Sequence, residues 1–288
     1  MYKLALLGVE NSHAKSFLQL IQKGLYPDIT VIGVYSNEPE AAAKLHDEFG
    51  VEIMENYDSL VGQVDGIMVT ARHGDLHYTY AKPYLASGIP MFIDKPITCK
   101  EEEAIAFMQE AQKYGVRLCG GSTCANLPET LELAQAVADG VCDELRGGAV
   151  VAPNYPTSPY GGYYFYGQHL IDIATRIFGE GILRVQSEQQ AGSLNVTLAY
   201  DKFSVQGAYI ASGSNFYAAV YGKKGVCHKD LIFGSDSFRS EMDDMLALLQ
   251  GKEMKKSYES FILPVFVLNA IERSLASGNW EEIPAIRV

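Results

Sequence analysis

The sequence is short of positive charge: 23 Lys and Arg stand against 35 Asp and Glu in 288 residues, a formal charge of −12. Contact with nucleic-acid phosphates needs a basic face, so this balance argues against such a partner. Cysteine is sparse as well. The five present, Cys99, Cys119, Cys124, Cys142 and Cys227, form no C-x-x-C pair and are odd in number. This argues against a disulfide framework and a cysteine-rich zinc site, and scattered reduced thiols fit a cytoplasmic protein. No apolar run approaches the roughly 20 residues of a membrane helix; the longest, Phe261 to Leu268, contains Pro264. Met1 leads directly into a strand-like stretch, and Glu10 interrupts any signal-peptide core, so no leader is expected. Internal repeats and low-complexity tails are missing too. What is present, 48% hydrophobic and 20% charged residues, is the composition of a globular chain with a substantial core.

The first ~120 residues alternate strand and helix signals at short intervals, as a doubly wound parallel sheet requires. Strand-like runs stand at 2–7, 29–35, 51–53, 67–70, 91–93 and 116–119. Between them lie helix-like segments at 13–23, 38–49, 76–87 (interrupted by Pro83) and 102–114. Thr98 and Glu101 have the spacing of a capping box for the last of these. Beyond Ser122 the pattern changes to strands at 146–152, 183–189, 195–200, 203–210, 216–221 and 226–233. Short links at 200–203 and 222–225 predict antiparallel hairpins. Helices are expected at 128–139, 167–178, 237–250 and 259–277. The reading is α/β: residues 1–122 form a dinucleotide-binding type of domain, and 123–288 an α+β domain with an open, mainly antiparallel sheet.

In a doubly wound sheet the ligand crevice lies at the carboxyl ends of the strands, so the strand-to-helix turns matter most. The first turn should carry G-x-G-x-x-G. Here Gly8 keeps the first glycine, while Glu10 and His13 replace the second and third. A carboxylate at the second position is bulky and of the wrong sign for a pyrophosphate. Asn11 and Ser12 still offer donors at the helix start. The second strand ends in Ser36 and Asn37, with neither the acid that bonds a ribose 2′-OH nor an Arg for a 2′-phosphate. Both are ribose neighbours by position, and the choice between NAD and NADP stays open. His73 and His77, four apart with Asp75 between them, lack a third clear metal ligand, and no metal is expected. Asp94, Lys95 and Pro96 close an apolar strand and bring a lysine to the crevice mouth.

Asp94-Lys95-Pro96 resembles the Glu-Lys-Pro motif of the glucose–fructose oxidoreductase/inositol dehydrogenase/MocA (Gfo/Idh/MocA) family. His77 follows Thr70 in a segment resembling that family's T-P-x-x-x-H, and residues 140–145 and 267–278 resemble the start of its second domain and its closing helix. The resemblance implies a Rossmann-type domain followed by a substrate and oligomerisation domain. It also implies NAD(P)-dependent hydride transfer at a secondary alcohol or ketone of a sugar, inositol or related polyol, in a homodimer or homotetramer. Gly8, Asn11, Ser12, His13, Ser36, Asn37, Thr70, His77, Asp94 and Lys95 would then serve the cofactor. Lys95 would also polarise the reacting hydroxyl.

The family's G-G-x-x-x-D-x-x-x-H helix matches residues 167–176, where Asp172 keeps the aspartate and Arg176 replaces the final histidine. His169, one turn before Asp172, is the substitute imidazole, with Asp172 to orient it. The catalytic set implied is Lys95, Asp172 and His169. Five of the 18 tyrosines, Tyr155, Tyr160, Tyr163, Tyr164 and Tyr166, crowd the loop before this helix; most are expected to pack structurally, one or two to line a pocket. The altered glycine turn and Arg176 leave a second reading open, a non-catalytic ligand-binding or regulatory protein. A metal-dependent hydrolase using His73 and His77 is a third.

Overall fold

The computed structural model describes every residue except Ser235, and its contacts divide the chain into two compact units.

The first unit contains β1 (Tyr2–Leu7), α1 (Ser12–Gln22), β2 (Ile29–Tyr35), α2 (Pro39–Phe49), β3 (Gly66–Val69), α3 (Asp75–Leu85), β4 (Met91–Asp94), α4 (Glu101–Lys113) and β5 (Leu118–Gly121). The strands form one parallel sheet in the order β2-β1-β3-β4-β5. Strands β3 and β4 are buried along their whole length, as expected where helices cover both faces of a parallel sheet. The strand expected at 51–53 is reduced to a single bridge between Ile53 and Val34. Counted as a strand, it sits outside β2 and completes the 3-2-1-4-5-6 order of a dinucleotide-binding sheet. The capping box at Thr98 does not form: the hydroxyl of Thr98 donates to the carbonyl of Lys100 at 3.0 Å, and Lys100 itself is the N-cap of α4. In α3 the helix runs only two residues past Pro83, whose ring and missing N–H disfavour continuation.

The second unit begins at Ser122. It contains a short 3₁₀ turn (Thr123–Asn126), α5 (Pro128–Ala138), β6 (Leu145–Asn154), α6 (Tyr164–Phe178), β7 (Arg184–Gln189), β8 (Ser193–Ala199), β9 (Ser204–Ala211), β10 (Phe216–Gly222) and β11 (Gly225–Leu231). Two helices follow in the chain, α7 (Arg239–Leu249) and α8 (Tyr258–Ser277), then a two-residue strand β12 (Glu281–Glu282) that the sequence did not announce. The sheet runs β11-β10-β6-β9-β8-β7-β12. Both expected hairpins form, β8–β9 and β10–β11, whereas β6 pairs parallel with β9. Gly148 on β6 has no room for a side chain, since a Cβ would come within 2.2 Å of Phe178 on α6.

One segment departs from the two-block reading of 1–122 and 123–288. Residues 238–259 pack with the first unit, because α7 inserts Met242 and Met245, both 0% exposed, into the core around Phe17 and Leu6. Burying each is worth about 2 kcal/mol, more than any local signal in the sequence could outweigh. Helix α8 is longer than its apolar run. By length and composition it is the one helix among the described residues that could cross a membrane, but 61% of that window is buried in the structure. Ser187 on β7 bonds its Ser274 hydroxyl and Ile271 carbonyl, the contacts of a core helix.

Candidate active site

The crevice of the first unit opens where β1, β2 and β3 end. Gly8 adopts φ +79°, and a Cβ there would stand 2.5 Å from the backbone of Ala71; only glycine allows this turn. Thr70 closes it from below, donating its hydroxyl to the Gly8 carbonyl at 3.0 Å, so that side chain is spent on the fold. Glu10 is 8% exposed. Its carboxylate accepts from the Ser36 hydroxyl at 2.7 Å and from the Arg72 backbone N–H at 3.0 Å. It therefore lies toward the end of β2 and away from the start of α1, where Asn11 caps the helix and no acidic residue stands in the first turn. Ser12 is exposed beside Asn11, and Asn37 beside Ser36. A depression of about 870 Å³ adjoins this turn, with Glu10, Asn11, Ser12, Lys15 and Arg72 on its wall.

The turn after β4 carries a buried charge. Asp94 is 0% and Lys95 3% exposed. Asp94 accepts hydrogen bonds from the Lys95 backbone N–H at 2.7 Å and from Asn11 Nδ2 at 3.0 Å, and His13 Nδ1 stands 2.7 Å from it as an ion-pair partner. Burial pulls the Asp94 carboxyl up, but His13 above all, then Lys95 and His77, outweigh it and hold the group below the usual carboxylate range. His77 is fully buried, and its Nε2–H donates to the Ala71 carbonyl at 2.8 Å. Burial depresses its pKa despite the neighbouring Asp94, so at neutral pH the ring carries no charge.

Asn11, His13, His77, Asp94 and Lys95 thus belong to one polar cluster, reached from three separate strand ends. The sequence singled out every member, yet not that His13, in the third glycine position, faces Asp94. The carboxyl edge shared by β1 and β4 was the available signal.

His73 and His77 do not act as a pair, because His77 is committed inside the fold. Among the described residues the donor atoms that do converge are those of His73, Asp75 and Cys99, within 4.8 Å of one another. Burial and then Asp75 push the Cys99 thiol far up, and His73 Nδ1 accepts the Asp75 N–H at 3.3 Å.

In the second unit, His169 and Asp172 start from one face of α6 but serve different partners. His169 is 4% exposed; its Nδ1 lies 2.6 Å from the Ser122 hydroxyl and 3.4 Å from the Cys124 thiol, and its ring packs edge-on to Tyr166 and Phe216. Asp172 Oδ2 accepts from the Ser122 backbone N–H and from Gln168 Nε2, both at 2.9 Å. Asp172 therefore reaches His169 through Ser122, a residue the sequence reading missed. Arg176 faces outward instead: its guanidinium bonds the Ala125 carbonyl at 3.1 Å and Asn126 Oδ1 at 2.7 Å, and ties α6 to the 3₁₀ turn. Among the clustered tyrosines, Tyr164 donates to Glu272 at 2.7 Å. Tyr163 lines a cavity of about 190 Å³ with Tyr209, Asn154 and Glu272, and Tyr166 touches the His169 ring.

Residues 3–122 match the profile described as "Oxidoreductase family, NAD-binding Rossmann fold", that of the Gfo/Idh/MocA proteins. No curated protein matches the chain in sequence. Solved structures match it along its whole length. A putative myo-inositol dehydrogenase from Sinorhizobium meliloti is 17% identical with a TM-score of 0.85, covering 99% of this chain and 100% of its own. The scyllo-inositol dehydrogenase from Lactobacillus casei, solved with bound NAD(H) and scyllo-inositol, is 14% identical with a TM-score of 0.86 over the same shares. An NAD binding oxidoreductase from Klebsiella pneumoniae is 19% identical with a TM-score of 0.82, again over 99% and 100%. At these identities the likeness shows the fold. With the Asp94-Lys95-Pro96 turn, the chain resembles the Gfo/Idh/MocA oxidoreductases: residues 3–122 match the profile of their NAD-binding Rossmann fold, and the solved structures share its fold over nearly the whole length.

Proposed function

We propose that the protein is an NAD(P)-dependent oxidoreductase acting on a secondary alcohol or ketone of a sugar, inositol or related polyol. The observation that carries this reading is Lys95, buried at the carboxyl end of β4 and anchored through its own backbone N–H to Asp94. The residues of the first turn fit a dinucleotide. Gly8 lets the chain turn tightly, the start of α1 holds no acid, and the Glu10 carboxylate is drawn aside to Ser36 and Arg72. Asn11 and Ser12 at that helix start would hold the pyrophosphate. Bound nicotinamide supplies the acceptor or donor of hydride.

The chain's own part is electrostatic and protonic. The Lys95 ammonium stabilises the alkoxide that develops at the reacting carbon. Asp94, kept ionised by His13, fixes the backbone from which Lys95 projects. In the second unit, the Ser122 hydroxyl holds the His169 ring at Nδ1, and this imidazole is the group that would take or return a proton. Asp172 holds Ser122 in place and so acts as a positioning residue.

The test is turnover. Incubating the protein with NAD or NADP and a panel of inositols, sugars and their keto forms should give a change in reduced-nicotinamide absorbance. Lys95→Met should lower that rate about a hundredfold or more with dinucleotide binding retained; undiminished turnover would remove Lys95 from the mechanism. Arg176 favours a second reading, since the family's histidine position has become a structural strut. A ligand-binding protein without turnover would bind the dinucleotide yet convert no member of the panel.

A further inference from the structure

The second strand of this sheet lacks the acidic residue that bonds an adenosine ribose, and the structure supplies a carboxylate at the same place from another element. We infer that Glu10 is the ribose acceptor and makes the protein selective for NAD(H) over NADP(H), an inference that rests on the oxidoreductase reading above.

Ser36, which ends β2, has one hydroxyl proton, and that proton is donated to Glu10 Oε2 at 2.7 Å. The Ser36 hydroxyl oxygen itself accepts the Glu38 backbone N–H at 3.0 Å. Ser36 therefore has no donor left for a ribose and serves to position Glu10. The second Glu10 oxygen is steadied by the Arg72 N–H at 3.0 Å. Each carboxylate oxygen has taken one hydrogen bond and can take another, so two acceptor sites remain for a pair of ribose hydroxyls. Glu10 is 8% exposed, and it lies on the wall of the 870 Å³ depression beside the turn.

The surrounding charge points the same way. The depression is lined by five carboxylates (Glu10, Glu38, Glu40, Asp47, Glu48) and three cations, Lys15, Lys44 and Arg72. Lys15 is paired with Glu48 at 2.7 Å. A 2′-phosphate brought to Glu10 would offer no hydroxyl to the carboxylate and would place like charge against it. In a partly enclosed site that repulsion is poorly screened. A residue that reads as damage to the glycine motif thus does the work usually done one strand away.

The measurement is calorimetric titration of the purified full chain with NADH and NADPH, which needs no substrate. Wild type should bind NADH at least about tenfold more tightly, the value of one charge-assisted hydrogen bond. Glu10→Gln keeps the shape and removes the charge; it should weaken NADH about tenfold and bring the two affinities close together. Ser36→Ala leaves the carboxylate charged but unsupported and should weaken NADH less, with selectivity retained. Far-UV dichroism of both variants establishes that they fold, and Ser36→Ala carries the test if Glu10→Gln does not. Equal affinities in wild type, or selectivity unchanged in Glu10→Gln, would overturn the inference and leave the oxidoreductase reading standing. Tighter NADH binding by Glu10→Gln would overturn it too, by making Glu10 an obstruction. Failure of wild type to bind either dinucleotide at millimolar concentration would defeat both.

Discussion

The turn after β1 and the helix α6 both depart from the pattern of the family they resemble, and the fold uses the two departures in opposite ways. At the first turn, Glu10 and His13 replace glycines and are drawn inward. Glu10 is held by Ser36 and Arg72, and His13 by Asp94. On α6, Arg176 replaces a histidine and is sent outward to the 3₁₀ turn, while His169, earlier on the helix, is buried with Ser122. A substitution at a motif position is therefore uninformative until its partners are known. An acid among strand ends that present N–H and O–H donors is worth keeping inside. Arg176 instead meets its acceptors, the Ala125 carbonyl and Asn126, at the surface, where the guanidinium keeps its solvation.

The strongest way to break this comparison is to remove the acid on which the first cluster depends. Asp94→Ala removes the acceptor of two hydrogen bonds and the ion-pair partner of His13, and should cost about 3–5 kcal/mol in urea unfolding. A loss below about 1 kcal/mol would mean the cluster tolerates rearrangement. Asp172→Asn, the matched change in the second unit, weakens the bonds to the Ser122 N–H and Gln168 and should cost less, about 2 kcal/mol. A cost equal to that of Asp94→Ala would erase the contrast.

A pH experiment sharpens the contrast further. His77 is held neutral in the fold by burial, whereas the unfolded chain protonates it near pH 6.5. The unfolded state then binds the extra proton, so stability falls as pH drops below that value, by up to about 1.4 kcal/mol per unit. His77→Gln should flatten the unfolding free energy between about pH 6.5 and 5; an unchanged slope would place the linkage elsewhere. The smallest effect is expected of Arg176→Ala. Its bonds are made by an exposed side chain and should be worth about 1 kcal/mol or less, with NADH affinity unaltered. A clear loss of NADH binding in that variant would show that Arg176 is more than a strut.

Much of the fold was legible in the sequence because its signals are local. The alternation of apolar runs and helix formers specified the five parallel strands, and the links at 200–203 and 222–225 specified two hairpins of the second sheet. The Asp94-Lys95-Pro96 turn was legible for the same reason, since a charged pair ending an apolar strand marks a crevice mouth. The misses have separate physical causes, two of them local and one a distant partner. Thr98 gave its hydroxyl to the Lys100 carbonyl and formed no capping box. The run at 51–53 was too short to hold more than one bridge to Val34. Helix α7 followed its methionines into the first core, although its place in the chain suggested the second.

The sequence by itself determined the order of elements, the parallel sheet, the mainly antiparallel one and the residue types at each strand end. These depend on hydrophobic period, turn chemistry and backbone propensity, which act over a few residues. Only the tertiary structure decided what those strand-end residues became. It set His13 against Asp94 across 81 positions of chain, Glu10 against Ser36 across 26, and Ser122 against His169 across 47. A buried polar group must find a partner wherever the fold provides one, and sequence separation does not enter that energy.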